Sequence, residues 1–171
     1  MAMHFGIQDR TRFANPMMLM GGDYTDETMR EIYTSADLLL SPSQGEGFGL
    51  PILEAQASGV SVVVQDHSAM SEMVGSGWRI KPLMLFPTLI GGKMAQADPR
   101  AIQHAMEECY RRPQSPHWQT IAREFALAYD WDRVMPAWSA FLAEMDNGQA
   151  ALSMELVELR KADKAQKGAP Q

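Results

Sequence analysis

Apolar residues fall along this chain in two alternating patterns, short unbroken runs and stripes with helical spacing, and the alternation predicts strands and helices in turn. The run at 17–20 reads as a buried strand ended by Gly21 and Gly22. Met29, Ile32, Tyr33 and Ala36 then recur at i, i+3, i+4 and i+7, with Thr25 ahead of them as a helix cap and Asp26 and Glu27 in an acidic first turn. Residues 37–41 form a second apolar run suited to a buried strand, Ile52, Leu53, Ala55, Gln56 and Ala57 continue as a helix until Gly59, and the β-branched stretch 60–64 is the best-marked strand of all. Residues 71–74 read as a short helix and 78–82 as a last short strand. From 83 to 96 no period survives around Pro87, Gly91 and Gly92, which predicts a loop whose apolar start at 83–86 needs a covering surface. Asp98 and Pro99 open a helix carrying Ile102, Ala105, Met106 and Cys109 on one stripe. Trp118, Ile121, Ala122, Phe125, Ala128 and Tyr129 mark a second such helix, and Val134, Trp138, Phe141, Leu142 and Met145 a third. Strand, helix, strand in succession is the sign of a parallel α/β sheet.

Composition narrows the picture without choosing a chemistry. At 171 residues the chain suits one domain of ordinary size, and an apolar fraction of 46% is enough to bury a core. A formal net charge of −6, with no basic run before the C-terminal end, argues against nucleic acid as a partner. The single cysteine, Cys109, precludes an internal disulfide and reads as core packing on its helix. No apolar run approaches the ~18 residues of a membrane span, and the first residues lack the pattern of a secretion signal, so a cytoplasmic location is expected. His4, His67, His104 and His117 show no metal-ligand spacing, and Ser43 and Ser58 lie in no G-x-S-x-G elbow. No metal or other cofactor is therefore expected.

The chemistry gathers instead between 41 and 54. A strand ends at Ser41, Gly45, Gly47 and Gly49 loosen the backbone for a tight turn, and Pro51 fits the first turn of the following helix. Such a turn aims backbone N–H groups and the positive end of a helix dipole at one point, which suits a phosphate. Gly-rich turns of this build are common in α/β domains, so the glycines alone leave phosphate binding and plain scaffolding open. Glu46 in the turn and Glu54 on the helix add two carboxylates that would repel a bare phosphate but accept hydrogen bonds from hydroxyls, such as those of a ribose and a sugar. His67 and Ser68 follow the strand at 60–64 and reach the same sheet edge, which makes them second-rank candidates, with a plain surface loop as the competing reading for His67.

The segment Glu46-Gly-Phe-Gly-Leu-Pro-Ile-Leu-Glu54, with Ile32-Tyr33, Ser35-Ala36-Asp37-Leu38 and Ser41-Pro42-Ser43 before it and Ser71-Glu72-Met73-Val74 and Gly77 after it, resembles the E-x7-E region of the family-4, GT-B-type retaining glycosyltransferases, the glycosyl transferases group 1. The resemblance runs from about 21 to about 145. It implies a Rossmann-like parallel sheet flanked by helices, the C-terminal donor-binding domain of a GT-B enzyme, over 17–147, with an irregular lead-in at 1–16 and a helical or disordered tail at 148–171. It implies that Glu46 contacts hydroxyls of the transferred hexose, that Glu54 holds the nucleotide ribose, and that the turn through Gly45, Gly47, Phe48, Gly49 and Leu50 faces the diphosphate and sugar. The expected ligand is a UDP-, GDP- or ADP-hexose, the expected reaction is hexose transfer to an acceptor hydroxyl with retention, and an acceptor-domain partner chain or a second copy would complete the site. One departure stands out: the family's Arg and Lys phosphate contacts have no counterpart, since Arg10, Arg12 and Arg30 are the only cations ahead of the motif. The alternative is a non-catalytic nucleotide-binding or scaffold subunit derived from such a domain.

Overall fold

The computed structural model describes residues 4, 6–89, 91–112 and 115–146, and the chain divides into two units, 1–126 and 127–171. In the first unit three strands, β1 (Leu38–Ser41), β2 (Ser61–Gln65) and β3 (Gly77–Ile80), make a parallel sheet in the order β1-β2-β3. Leu38 pairs with Ser61 and Val62 with Gly77, and the register continues from there without a slip. All five residues of β2 are buried: its centre is an unbroken run of valines, and the polar residues at its two ends, Ser61 and Gln65, bond to Ser76 and to the loop after β1. Val62, Val63 and Val64 are wholly enclosed, each side chain contributing about 1.5–3 kcal/mol by leaving water.

Helices cover this sheet. α2 (Asp26–Thr34) starts where Thr25 Oγ1 accepts the Thr28 N–H, and it packs along α3 (Leu50–Ala57), the crossover between β1 and β2. α4 (Pro99–Arg111), capped by the Asp98 carboxylate on the Arg100 N–H, lays Ala105 and Ile102 on Val63 and Ile80. Since β2 side chains alternate between faces, Val62 and Val64 point away from α4. This is a Rossmann-like α/β arrangement, as the alternation of runs and stripes predicts. α5 (Pro116–Leu127) buries Ala122 and Ala126 and brings Phe125 over Gly75, while Arg123 donates to the Ser58 carbonyl at 3.3 Å. Trp118 and Trp78 serve packing, with the Arg112 guanidinium 3.3 Å from the first ring centroid and 5.3 Å from the second. The Cys109 thiol faces the Asp37 carbonyl at 3.9 Å, and burial pushes its pKa up.

Gln56 ties the helix layer to the loop after it. Its side chain is fully buried in an otherwise apolar helix, donates to the carbonyls of Ile52 and Met73 at 3.1 and 2.8 Å, and accepts from the N–H groups of Gly75 and Ser76 at 2.8 and 3.1 Å.

Three sequence expectations are corrected. Residues 17–20 are not a strand but part of the helix α1 (Pro16–Gly21), with Met17 and Met20 exposed. The cause is local: Asn15 Oδ1 accepts the Met17 N–H, Pro16 fits the first turn, and Gly22 closes the end, so start and stop signals outweigh apolarity. Residues 83–96 are not an irregular loop but an antiparallel hairpin, β4 (Met84–Pro87) with β5 (Lys93–Gln96). Thr88 closes its tip through both backbone and hydroxyl bonds to Gly92, and Pro87 sits at the last pair. Of these two strands only Ala95 is buried, so no alternation marked them in the sequence. Finally, the expected helix at 71–74 is a 3-10 turn over Ser68–Glu72.

The second unit holds α6 (Trp131–Asp146), which carries Pro136 in its interior and exposes Trp131, Trp138 and Leu142. No helix among the described residues is long and apolar enough to cross a membrane. The tail expected at 148–171 lies outside the described residues.

Candidate active site

β1 delivers the chain to the carboxyl edge of the sheet, where ligands of open α/β sheets gather, and the loop 42–49 turns it into α3. Three sets of hydrogen bonds fix that loop. The buried Gln65 side chain at the end of β2 donates to the carbonyls of Pro42 (3.2 Å), Ser43 (2.6 Å) and Ala95 (3.3 Å). The Ala95 N–H of the hairpin bonds the Gln44 carbonyl at 2.8 Å. The Glu46 N–H donates to Ser68 Oγ at 3.0 Å. Beside Ser68, the His67 Nε2–H donates to the Lys93 carbonyl at 3.0 Å, so the hairpin is bound to the same edge from a second side.

The turn itself depends on one glycine more than on three. Gly49 is the N-cap of α3 at φ +94°, and a Cβ there would sit 3.0 Å from Ile52 Cδ1. Gly45 and Gly47 have no such backbone demand, which corrects the reading that all three free the turn. A methyl on Gly47 would meet nothing within 4 Å, so the space above it is open to a ligand. Gly49 offers no side-chain cap; Pro51 has no N–H and the Ile52 and Leu53 N–H groups bond the Gly49 carbonyl, which leaves the Leu50 amide at the open end of α3. The Phe48 and Leu50 side chains stand exposed beside it.

The two carboxylates flank this end from different sides. Glu46 is half-buried and belongs to the Ser68 side. Glu54 is exposed and turns toward α2, where its Oε2 accepts the Tyr33 hydroxyl at 2.9 Å. A cleft of about 330 Å³ lies there, lined by Asp26, Met29, Arg30, Tyr33, Glu54 and Ala57. Arg30 is bonded to Glu27 on its own helix and not to Glu54. Burial first, and the Glu54 carboxylate second, push the Tyr33 hydroxyl up to about 12 from an ordinary value of 10.0. Absorbance titration should therefore show a late phenol ionisation that Tyr33→Phe abolishes and Glu54→Gln brings only part of the way down. A raised pKa also means that this group's contribution to stability is complete below pH 10 and is lost as pH rises through about 12. A titration curve left unchanged by Tyr33→Phe would refute the assignment.

Among the residues expected at the site, the structure gathers Gly45, Glu46, Gly47, Phe48, Gly49 and Leu50 around the start of α3 and sets Glu54 one turn along it. Sequence reasoning missed Gln65, the hairpin and the bond from the Tyr33 hydroxyl to Glu54. A polar residue ending a β-branched strand was the available signal for Gln65; Tyr33 was hidden by its place in an apolar stripe. Among the described residues no group of three or more His, Cys, Asp or Glu side chains is placed to hold a metal ion.

Comparison with known proteins bears directly on this geometry. The profile of the family described as glycosyl transferases group 1 matches residues 3–112. Over 114 residues the chain is 32% identical to the GDP-mannose-dependent alpha-(1-6)-phosphatidylinositol dimannoside mannosyltransferase of Mycobacterium tuberculosis, covering 67% of this chain and 26% of that protein. It is 30% identical over 115 residues to the O-antigen chain mannosyltransferase B of Escherichia coli, covering 65% of this chain and 26% of that protein. A D-inositol 3-phosphate glycosyltransferase of Geodermatophilus obscurus is 29% identical over 157 residues, covering 92% of this chain and 30% of the relative. The chain thus spans between 26% and 30% of the length of these relatives.

Proposed function

This chain belongs to the glycosyl transferases group 1 family, and from that premise we propose that residues 17–147 supply the donor-binding half of a hexosyltransferase. The observation that carries the reading is the uncapped start of α3, held at the carboxyl edge of the sheet with open space over Gly47 and a carboxylate on either side. A nucleotide sugar is long enough to use all three features. Glu46 accepts hydroxyls of the hexose, the amides at 47–50 and the helix dipole meet the diphosphate, and Glu54, oriented by the Tyr33 hydroxyl, accepts ribose hydroxyls with its remaining lone pairs.

In the reaction the bond from the sugar's anomeric carbon to the diphosphate oxygen breaks, and its electron pair leaves on that oxygen. The acceptor hydroxyl oxygen bonds the same carbon, on the same face, and gives up its proton to the departing diphosphate oxygen. Charge grows on the departing phosphate, where preset amides at a helix start lower the barrier because they need no reorganisation. The name of the Mycobacterium tuberculosis relative makes GDP-hexose the first donor to try.

Titrating the folded chain with UDP, GDP and ADP and their hexose conjugates tests the reading. One base should give saturable binding, and Glu54→Ala should weaken both the diphosphate and its conjugate by about 10-fold or more, the loss of charge-assisted hydrogen bonds. Absence of binding at millimolar ligand would remove it. A second reading, a nucleotide-binding subunit without transfer activity, draws on the cations: of the three before the motif, Arg30 is engaged with Glu27. Binding without donor hydrolysis or transfer, in the presence of an acceptor-domain partner, would favour it.

A further inference from the structure

We propose that Ser68 is a positioning residue for Glu46, which rests on the donor-site reading above. Ser68 is the one described non-glycine residue with a positive φ, +55°. A left-handed conformation is strained for a side-chain-bearing residue, and such outliers persist where the surroundings impose them. Here the surroundings are visible. Gln65, three residues earlier, is clamped to the carbonyls of Pro42 and Ser43, and His67, one residue earlier, is clamped to the Lys93 carbonyl. Between those clamps and the 3-10 turn that starts at Ser68, the backbone is forced to turn sharply.

The bend brings Ser68 Oγ to the acidic turn. It accepts the Glu46 N–H at 3.0 Å and lies 3.9 Å from the position a Cβ on Gly45 would take. The bonds from Gln65 and Ala95 reach residues 42–44, on the β1 side of Glu46. Ser68 therefore fixes the part of the turn that bears the sugar-side carboxylate, while Glu54 and the start of α3 are held by other elements.

That division predicts a split between ligands. Ser68→Gly removes the hydroxyl and also relieves the strained backbone, so the variant should melt at or above the wild-type temperature. Its affinity for the nucleoside diphosphate should stay within about twofold, while affinity for the hexose conjugate falls roughly fivefold to tenfold, the worth of one lost positioning hydrogen bond. Ser68→Ala, which loses the hydroxyl without gaining backbone freedom, should show the same split. Binding of UDP, GDP and ADP and their hexose conjugates would be measured calorimetrically on the full chain beside melting curves. If wild type binds and Ser68→Gly binds both ligands as well, or loses both equally, the inference is overturned while the donor reading stands. If wild type itself binds none of them, the donor reading fails and takes this inference with it.

Discussion

Gly77→Ala should unfold the first unit or lower its melting temperature by about 15 °C or more, the effect of a loss above roughly 4 kcal/mol. Gly77 opens β3 at φ +142° and pairs with Val62 in the middle of the sheet. A Cβ there would lie 1.9 Å from the Val62 carbonyl oxygen and 2.7 Å from its nitrogen. Neither atom can withdraw, because Val62 is wholly buried and its N–H is bonded to the Ser76 carbonyl at 3.0 Å. The methyl can be housed only by parting β2 from β3, the pairing on which the core is built. Circular dichroism melting checks this. A variant within a few degrees of wild type would show that the two strands can separate locally at little cost.

Gln56→Leu should cost roughly 3–5 kcal/mol although it puts an apolar residue of similar size into an apolar setting. The change strips partners from the N–H groups of Gly75 and Ser76 and from the Met73 carbonyl, in a loop where Met73 and Ser76 are buried. Water cannot reach these groups without opening the layer between α3 and the loop. The Ile52 carbonyl loses least, being within its own helix. Urea unfolding should therefore give a lower midpoint at an unchanged slope, the mark of a native state weakened without a change in compactness. A midpoint equal to wild type would mean that the loop relaxes to find other partners. Leucine, not alanine, is the informative replacement because it isolates the hydrogen bonds from the cavity.

Much of this was open to reading before any coordinates. Thr25 and Asp98 announced their helices because a capping side chain acts within three residues, and the β-branched run at 60–64 announced β2 because burial on both faces leaves no other pattern. The acidic turn was equally plain, since Glu46, Gly49, Pro51 and Glu54 lie within one short segment. What stayed hidden depends on distant partners. Nothing local in Gln65 tells of the Ala95 carbonyl thirty residues on. Nothing local in Tyr33 separates a core aromatic from a hydroxyl aimed at Glu54, twenty-one positions away. The stretch at 17–20 misled for the opposite reason, since its apolarity was obvious while the deciding signal lay in Asn15 and Pro16 beside it.

The hairpin has a lopsided construction. Its second strand is tied down through Ala95 and Lys93, and Thr88 and Gly92 close its tip. Leu83, Met84 and Leu85, near the root, nevertheless face outward. Substitutions at these outward-facing positions should therefore leave the acidic turn undisturbed, since the bonds that hold it come from Gln65, Ala95 and Ser68. The grip of Gln65 on Pro42, Ser43 and Ala95 thus works as a keystone: the outward-facing side chains of Leu83, Met84 and Leu85 lie outside it, and replacing them leaves the turn's anchorage untouched.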